Sequence, residues 1–362
     1  MLRKITVVFM LLALLIPAGC SPASDNDYYR YTETYYDAFD TLVQVVAYAE
    51  DETQFREQIA VFHNRLLELH KLYDIYNTYE GINNIKTIND HAGIKPVKVE
   101  QEVIDLILYA RQWSERTGGA FNIALGPVLK IWHSYREEAL YEPASAKLPP
   151  LEMLQQAAQF GDMQQVVVDE ELMTVYLPDR RMSLDVGALA KGYALELAAA
   201  EIEAAGLHSA IISAGGNIRT IGSPLDGERD RWGIGVQDPD ASIVGGSEKL
   251  LDVIYLKDGS VDTSGDYQRY YVVNEELIHH LIDPQTLMPA THYRAVTVIT
   301  NDSAFADLMS TALFLIPYAE SLALAEQYDN LEAMWIMPGG EIRTTSGMQH
   351  YLKSFGATPL DE

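Results

Sequence analysis

Asp185-Val-Gly-Ala-Leu-Ala-Lys-Gly-Tyr193 brings a carboxylate, two glycines and a lysine into one short segment. Leu189, Tyr193 and Leu197 recur at i, i+4 and i+8, and Gly206 supplies a stop, so the spacing predicts a helix entered through this segment. The glycines and Ala188 would let backbone come close to a ligand at a helix N-terminus, where free amides and the peptide dipoles favour an anion. Asp185 can orient a polar group and Lys191 can face a negative one; a plain glycine-rich helix entry with an ion pair fits the same residues. A second candidate is Ser303 to Ala312, where Asp307 and Thr311 stand four apart and share a helix face. A hard cation such as Mg²⁺ takes oxygen ligands in near-octahedral geometry. One carboxylate, one hydroxyl and a backbone carbonyl would form a partial shell; the alternative is a solvent-facing aspartate with the threonine hydroxyl bonded one turn back.

Two further segments carry chemistry. Thr263-Ser-Gly-Asp-Tyr-Gln-Arg-Tyr-Tyr271 groups hydroxyls around Gly265, which suggests a tight turn, with tyrosines able to stack on a planar ring; a strand entry with sheet aromatics is the alternative. In His279-His-Leu-Ile-Asp-Pro284, His280 stands three residues before Asp283, a spacing that suits acid–base work as well as a structural turn started by Asp283. Adjacent histidines on a strand point to opposite faces, which argues against zinc.

The elements that must position these groups follow from periodicity. Ala38 to Ala49 alternates as a strand, and Phe55, Ile59, Phe62, Leu66 and Leu69 mark a helix through Tyr73. Tyr76 to Asn89 is expected to be a loop. Val103, Leu106, Ala110 and Trp113 mark a helix near Glu100 to Arg116, ended by Gly118-Gly119. Glu137 to Pro150 is charged and is expected to be an exposed insertion. Val166 to Leu177 reads as a hairpin, Ala210 to Ser213 as a buried strand and Ala295 to Thr300 as another. Phe305 to Ile316 reads as a helix stopped by Pro317, and Ala333 to Thr345 as a hairpin about Pro338-Gly-Gly340. Strands and helices interleave without a regular βαβ period, and there is no phosphate loop or GxGxxG, so an α+β fold with mixed or antiparallel sheets and packed helices is expected.

Composition narrows the ligand. The chain has 362 residues, 52 acidic and 26 basic, for a formal charge of −26. That surface argues against nucleic acid, so a phosphate-bearing ligand must be held by a local device. Arg3 and Lys4, the apolar run Ile5 to Ile16 and the small residues before Cys20 read as an export signal. Cys20 is the only cysteine, so it forms no internal disulfide; its position after Ala18-Gly19 reads as a lipobox, with Cys20 lipidated after cleavage. Pro17 departs from the leucine usual three residues before that cysteine. The expected organisation is a lipoprotein signal peptide over 1–19, a tether over 20–34 and one domain over 35–362, anchored to the cell membrane on its extracytoplasmic face.

Taken in order, Phe39-Asp-Thr41, Gly118-Gly-Ala-Phe-Asn122 with Gly126-Pro127, Asp185 to Tyr193, Ala214-Gly-Gly-Asn217, Thr263 to Asp266, His280 to Pro284 and Ala306-Asp307 through Thr311 resemble the FAD:protein FMN transferase (ApbE) family over almost all of the mature chain. The resemblance implies an ApbE-like α+β body with FAD in a cleft between its halves. It implies Mg²⁺ held by the Ala188 carbonyl, Asp307 and Thr311, and FAD contacts from Phe39, Tyr76, Ala120, Phe121, Asn122, Asp185, Lys191 and Ile282. The activity implied is transfer of FMN from FAD to a threonine of a client flavoprotein, with AMP released. His280 is the candidate proton acceptor, with Asp283 as its orienter or alternative. Three departures stand out: Leu287-Met-Pro289 where many members have Thr-Gly-Tyr-Pro, Phe39 for a methionine, and Asn122 for an aspartate.

Overall fold

The computed structural model describes residues 27–240 and 250–361. The first half of the chain forms β1 (Tyr29–Ala38), β2 (Thr41–Ala49), α1 (Glu52–Tyr73), α2 (Ile85–Asp90), β3 (Val97–Lys98), α3 (Gln101–Arg116), α4 (Gly126–Tyr141) and α5 (Leu151–Ala158). Next come β4 (Val167–Asp169), β5 (Thr174–Tyr176), α6 (Ala190–Ala204), β6 (Ala210–Ala214), β7 (Asn217–Ile221), β8 (Trp232–Gln237) and β9 (Leu250–Leu256). The remainder is β10 (Gly259–Gly265), β11 (Tyr270–Val273), β12 (Glu276–His279), β13 (Ala295–Thr300), α7 (Ser303–Leu315), α8 (Tyr318–Ala325), β14 (Glu332–Ile336) and β15 (Ile342–Thr344).

Eight strands form one antiparallel sheet in the order β1-β2-β6-β7-β10-β13-β14-β15. Strand periodicity sorts its two faces. In β13, Val296 and Val298 join the main core beneath the helices, while Ile299 packs with Val261, Ile234, Val236 and Met334 on the other side. α1, α6 and α7 pack side by side on the first face. All thirteen residues of α7 are buried, so it is enclosed on every side rather than amphipathic. A smaller core joins α4, α5 and the β11–β12 hairpin through Val128, Trp132, Leu154, Tyr271 and Ile278. The Trp132 indole N–H donates to the Leu287 carbonyl at 3.0 Å and fixes the helix to the turn that follows the hairpin.

The fold is α+β with antiparallel sheets, as the sequence predicts, and it corrects several local expectations. Asn84 makes a capping box with Thr87 and starts α2 inside the stretch expected to be a loop. Residues 137–141 are not an insertion: they are the last turn of α4, which places Ala139 in the smaller core. Tyr29 to Thr34, assigned to the tether, are strand β1 at the sheet edge. Thr263, Ser264 and Gly265 are the end of β10 rather than a turn. The export signal, Cys20 and the tether before residue 27 lie outside the described residues. No helix among the described residues is long and apolar enough to cross a membrane.

Candidate functional site

The N-terminus of α6 meets the middle of α7 at Gly192. A Cβ on Gly192 would collide with the Ser303 carbonyl and with the Asp307 Cβ, so only glycine permits this approach. The contact aligns the Gly192 amide with the Asp307 carboxylate, to which it donates at 2.7 Å. The Lys191 ammonium lies 3.2 Å from Asp307 and 4.0 Å from Asp262. Farther along α6, Glu196 accepts the Ser303 amide at 2.7 Å and pairs with Arg219 of β7 at 3.1 Å, tying the two helices to the sheet.

β10 supplies the floor. Asp262 and Ser264 are two apart and share the face beneath α7, while Thr263 points to the opposite face and bonds Thr297 at 2.9 Å. The Ser310 hydroxyl donates to Asp262 at 2.6 Å, and Ser264 reaches Ser310 at 2.9 Å and Thr311 at 3.3 Å. Burial favours the neutral amine of Lys191, but Asp307 and Asp262 outweigh it and raise its pKa. Burial raises the Asp262 carboxyl, Lys191 opposes that and Asp307 adds to it. Two buried carboxylates against one ammonium leave the cluster short of positive charge.

Of the oxygens expected to hold a metal, the Asp307 carboxylate is engaged by Lys191 and the Gly192 amide and the Thr311 hydroxyl by Ser264 at 3.3 Å, while among the described residues the Ala188 carbonyl is open. In a regular helix the Gly192 amide would bond the Ala188 carbonyl four residues back; here it donates to Asp307, and among the described residues no hydrogen bond reaches the Ala188 carbonyl. The Thr311 hydroxyl does not bond back along α7. Ser310 takes the Asp307 carbonyl at 3.0 Å, and Thr311 faces Ser264. Among the described residues no group of three histidine, cysteine or acidic side chains could hold a metal. The donor set that exists here is one carboxylate, one hydroxyl and one carbonyl, which suits a hard cation that keeps several non-protein oxygen ligands.

A second, cationic group faces the smaller core. Asp74 accepts the amides of Tyr76 and Asn77, the Asn77 side chain and the Tyr79 hydroxyl, at 2.6 to 3.0 Å, and so holds the loop that presents Tyr76. Burial opposes the charge on Asp74, but these bonds outweigh it and lower its pKa. The half-exposed Tyr76 ring stacks on His133 of α4, centroids 5.9 Å apart and planes 18° off parallel, with its hydroxyl 3.0 Å from Nδ1. The Arg136 guanidinium reaches the other nitrogen of His133 at 3.4 Å. Across from α4, the His280 amide donates to the Arg269 carbonyl at 3.2 Å, and His280 Nδ1 is shut off from solvent with no partner. Burial, then Arg269, push His280 down to about 3; burial, then Arg136, lower His133. Both rings are therefore neutral.

The remaining predicted residues take varied positions. Phe39 and Asp40 have φ of 54° and 48° and close the β1–β2 hairpin, a backbone that suits glycine or asparagine better. The Phe39 amide donates to His70 Nδ1 at 3.2 Å, which fixes this turn. Ala120 is partly exposed, but Phe121 is core, as is Ile282, so those two can meet a ligand only through backbone. The Asn122 side chain caps the Ala124 amide and donates to the Gly161 carbonyl, both at 2.8 Å. An aspartate would lose the second bond, which accounts for asparagine here. Asp185 accepts the Gly187 amide at 3.0 Å. The Asp283 carboxylate accepts from Gln285 and Thr286 within its own turn, and among the described residues it makes no hydrogen bond to His280. Leu287 occupies φ 62°, keeping a backbone that favours glycine while its side chain stays buried. Tyr271 is core and not a stacking surface. The residues that sequence reasoning missed are Asp262, Ser310, His133, Arg136 and Arg269; Arg269 lay inside a motif already singled out. A separate cavity of about 450 Å³, lined by Arg231, Lys257, Asn301 and Glu332 among others, shares no residue with this region.

The fold and site define an α+β protein with a buried Lys191–Asp307–Asp262 cluster where α6 meets α7, and a group of cationic and aromatic side chains on α4 and the segment leading into β11. The chain matches the ApbE family over residues 39–335 and belongs to it. It is 32% identical over 276 residues to the FAD:protein FMN transferase of Treponema pallidum, covering 73% of each chain. It is 28% identical over 331 residues to that of Klebsiella pneumoniae, covering 89% of this chain and 93% of the relative. The crystal structure of the ApbE protein from Thermotoga maritima superposes with a TM-score of 0.75 at 28% identity, covering 90% of this chain and 99% of that one.

Proposed function

We propose that this chain is a magnesium-dependent FAD:protein FMN transferase that acts on a threonine of a client flavoprotein. The names of its Treponema and Klebsiella relatives support the flavin-transfer reading. The observation that carries the metal part is the pairing of a partnerless Ala188 carbonyl with a Thr311 hydroxyl not bonded along its helix, beside Asp307 in a cluster short of positive charge. These three residues would hold Mg²⁺, which when bound supplies Lewis-acid stabilisation of phosphate charge. Lys191 and the α6 N-terminus add fixed positive charge for the dinucleotide's phosphates. Tyr76, with Phe39, Ala120 to Asn122, Asp185 and Ile282, makes the surface for FAD in the cleft. The client threonine oxygen attacks the FMN-side phosphorus, its bond to the AMP phosphate breaks, and AMP leaves. His280 is the proton acceptor in this reading, a role that requires bound phosphate charge to offset Arg269 and raise the ring from about 3, while Asp283 fixes its own turn nearby. Cys20 carries the lipid that anchors the protein on the extracytoplasmic membrane face.

The test is intact-mass spectrometry of a client flavoprotein incubated with this protein, FAD and Mg²⁺. A mass increase matching one FMN, with AMP released, is expected. AMP release with an unmodified client makes the protein a FAD pyrophosphatase instead, and FAD retention without AMP release makes it a flavin-binding protein. Cys20→Ser is expected to move the protein out of the membrane fraction; unchanged partitioning rejects the lipid anchor.

A further inference from the structure

Arg136 and Arg269 stand out in a chain with twice as many acidic as basic residues. Among the described residues neither guanidinium makes an ion pair; Arg136 has only the neutral His133 ring at 3.4 Å, and Arg269 has no side-chain hydrogen bond. They belong to elements that pack together, α4 and the segment leading into β11. Burial, then Arg269, lower the pKa of Arg136, so each cation makes the other less stable. Asp185 and Glu137 offset part of this charge, but neither reaches either arginine. Arg294, before β13, by contrast pairs with Asp266 at 2.6 Å and with Asp240 at 2.7 Å.

Uncompensated guanidinium groups recognise phosphate through their planar forks. Three features beside them point to a ligand. His280, whose amide bonds the Arg269 carbonyl, has its Nδ1 buried without a partner. Tyr76 and His133 form a stacked, half-open ring surface touching Arg136. Gln268, next to Arg269, lies 3.9 Å from where a side chain on Gly216 would begin, and among the described residues nothing nearer fills that space. We propose that Arg136 and Arg269 form a metal-independent clamp for the phosphate of a mononucleotide unit whose ring system lies against Tyr76 and His133. In the flavin-transfer reading, on which only the identity of the nucleotide rests, the clamp holds one phosphate of FAD while the cluster around Asp307 serves the other through its cation.

The experiment is isothermal titration of the full chain in EDTA with FMN, AMP and inorganic phosphate in turn. FMN or AMP is expected to bind, and to bind more weakly as salt rises. Arg136→Gln and Arg269→Gln are each expected to weaken binding at least about tenfold, while Arg343→Gln, at a surface arginine paired with Glu341, changes nothing. Binding of FMN alone assigns the clamp to the FMN-side phosphate, and binding of AMP alone to the other. Because the two arginines repel, their glutamine variants should melt no lower than wild type, which separates lost binding from lost fold. The proposal is overturned if neither nucleotide binds without metal, if the arginine variants bind like wild type, or if inorganic phosphate binds as tightly as the nucleotides. Arginine-dependent binding by a protein that never modifies a client would leave the clamp standing and remove the transferase reading.

Discussion

Two groups of charged side chains in this molecule handle charge in opposite ways. Around Lys191, every charge is buried and partnered, carboxylates outnumber the ammonium, and the helices meet so closely that a methyl group would separate them. Around Arg136 and Arg269, the charges are cationic, unpaired and near the surface, beside two histidines held neutral. The first arrangement nearly balances its charge internally; the second leaves two cations without carboxylate partners among the described residues. A protein of such negative charge cannot draw a diphosphate by its overall field. It needs local positive charge, and the proposed reading supplies it from one bound cation and from two arginines of the chain itself.

Substitutions can break this contrast, and the largest effect is expected at Asp307. Asp307→Ala should lower magnesium-dependent AMP release at least about 10²-fold, the scale of losing one group that stabilises transition-state charge. Arg269→Gln should keep its magnesium dependence and lose mainly FAD affinity; steady-state kinetics over a magnesium series will separate the two. Gly192→Ala should follow, forcing α6 from α7 at a cost of about 1–3 kcal/mol in a denaturant melt. It should also weaken magnesium binding, since the Asp307 carboxylate loses its amide.

The cationic side has its own pH signature. Burial and Arg269 depress His280 from about 6.5 to about 3, so the fold favours the neutral ring. Its contribution to stability is present above the unfolded value near 6.5 and is lost as pH falls toward 3. NMR of the free protein should find no titration of His280 between pH 5 and 8, and Arg269→Gln should raise its midpoint. A midpoint near 6.5 in wild type would show that the arginine does not act on this ring. The smallest effect is expected at Asn122→Asp, which keeps the cap on Ala124 but loses the bond to the Gly161 carbonyl. About 1 kcal/mol of stability should go, measured by thermal melting.

Much of this was legible in the chain. α1, α3, α7 and the β14–β15 hairpin follow from apolar spacing and turn residues, and Ala188, Asp307 and Thr311 follow from the family resemblance. Asp262 was not legible, because one position of register decides whether Asp262 or Thr263 faces α7. α2 escaped notice because its six residues are fixed by a side-chain cap rather than by a hydrophobic stripe. The arginine pair escaped because an unpaired cation is recognised only once its neighbours are known.

The amino-acid sequence by itself determined the order and type of the main elements, the glycines that let helices and turns approach closely, and the acidic surface that forces phosphate onto a local device. These depend on interactions within a few residues or on composition. Only the tertiary structure decided that the Gly192 amide, rather than completing its helix, would meet a carboxylate 115 residues away. It also decided that Arg136 and Arg269 would lie on elements packed together without a carboxylate partner among the described residues, because which groups meet across the core depends on packing angles and strand register that no local pattern encodes.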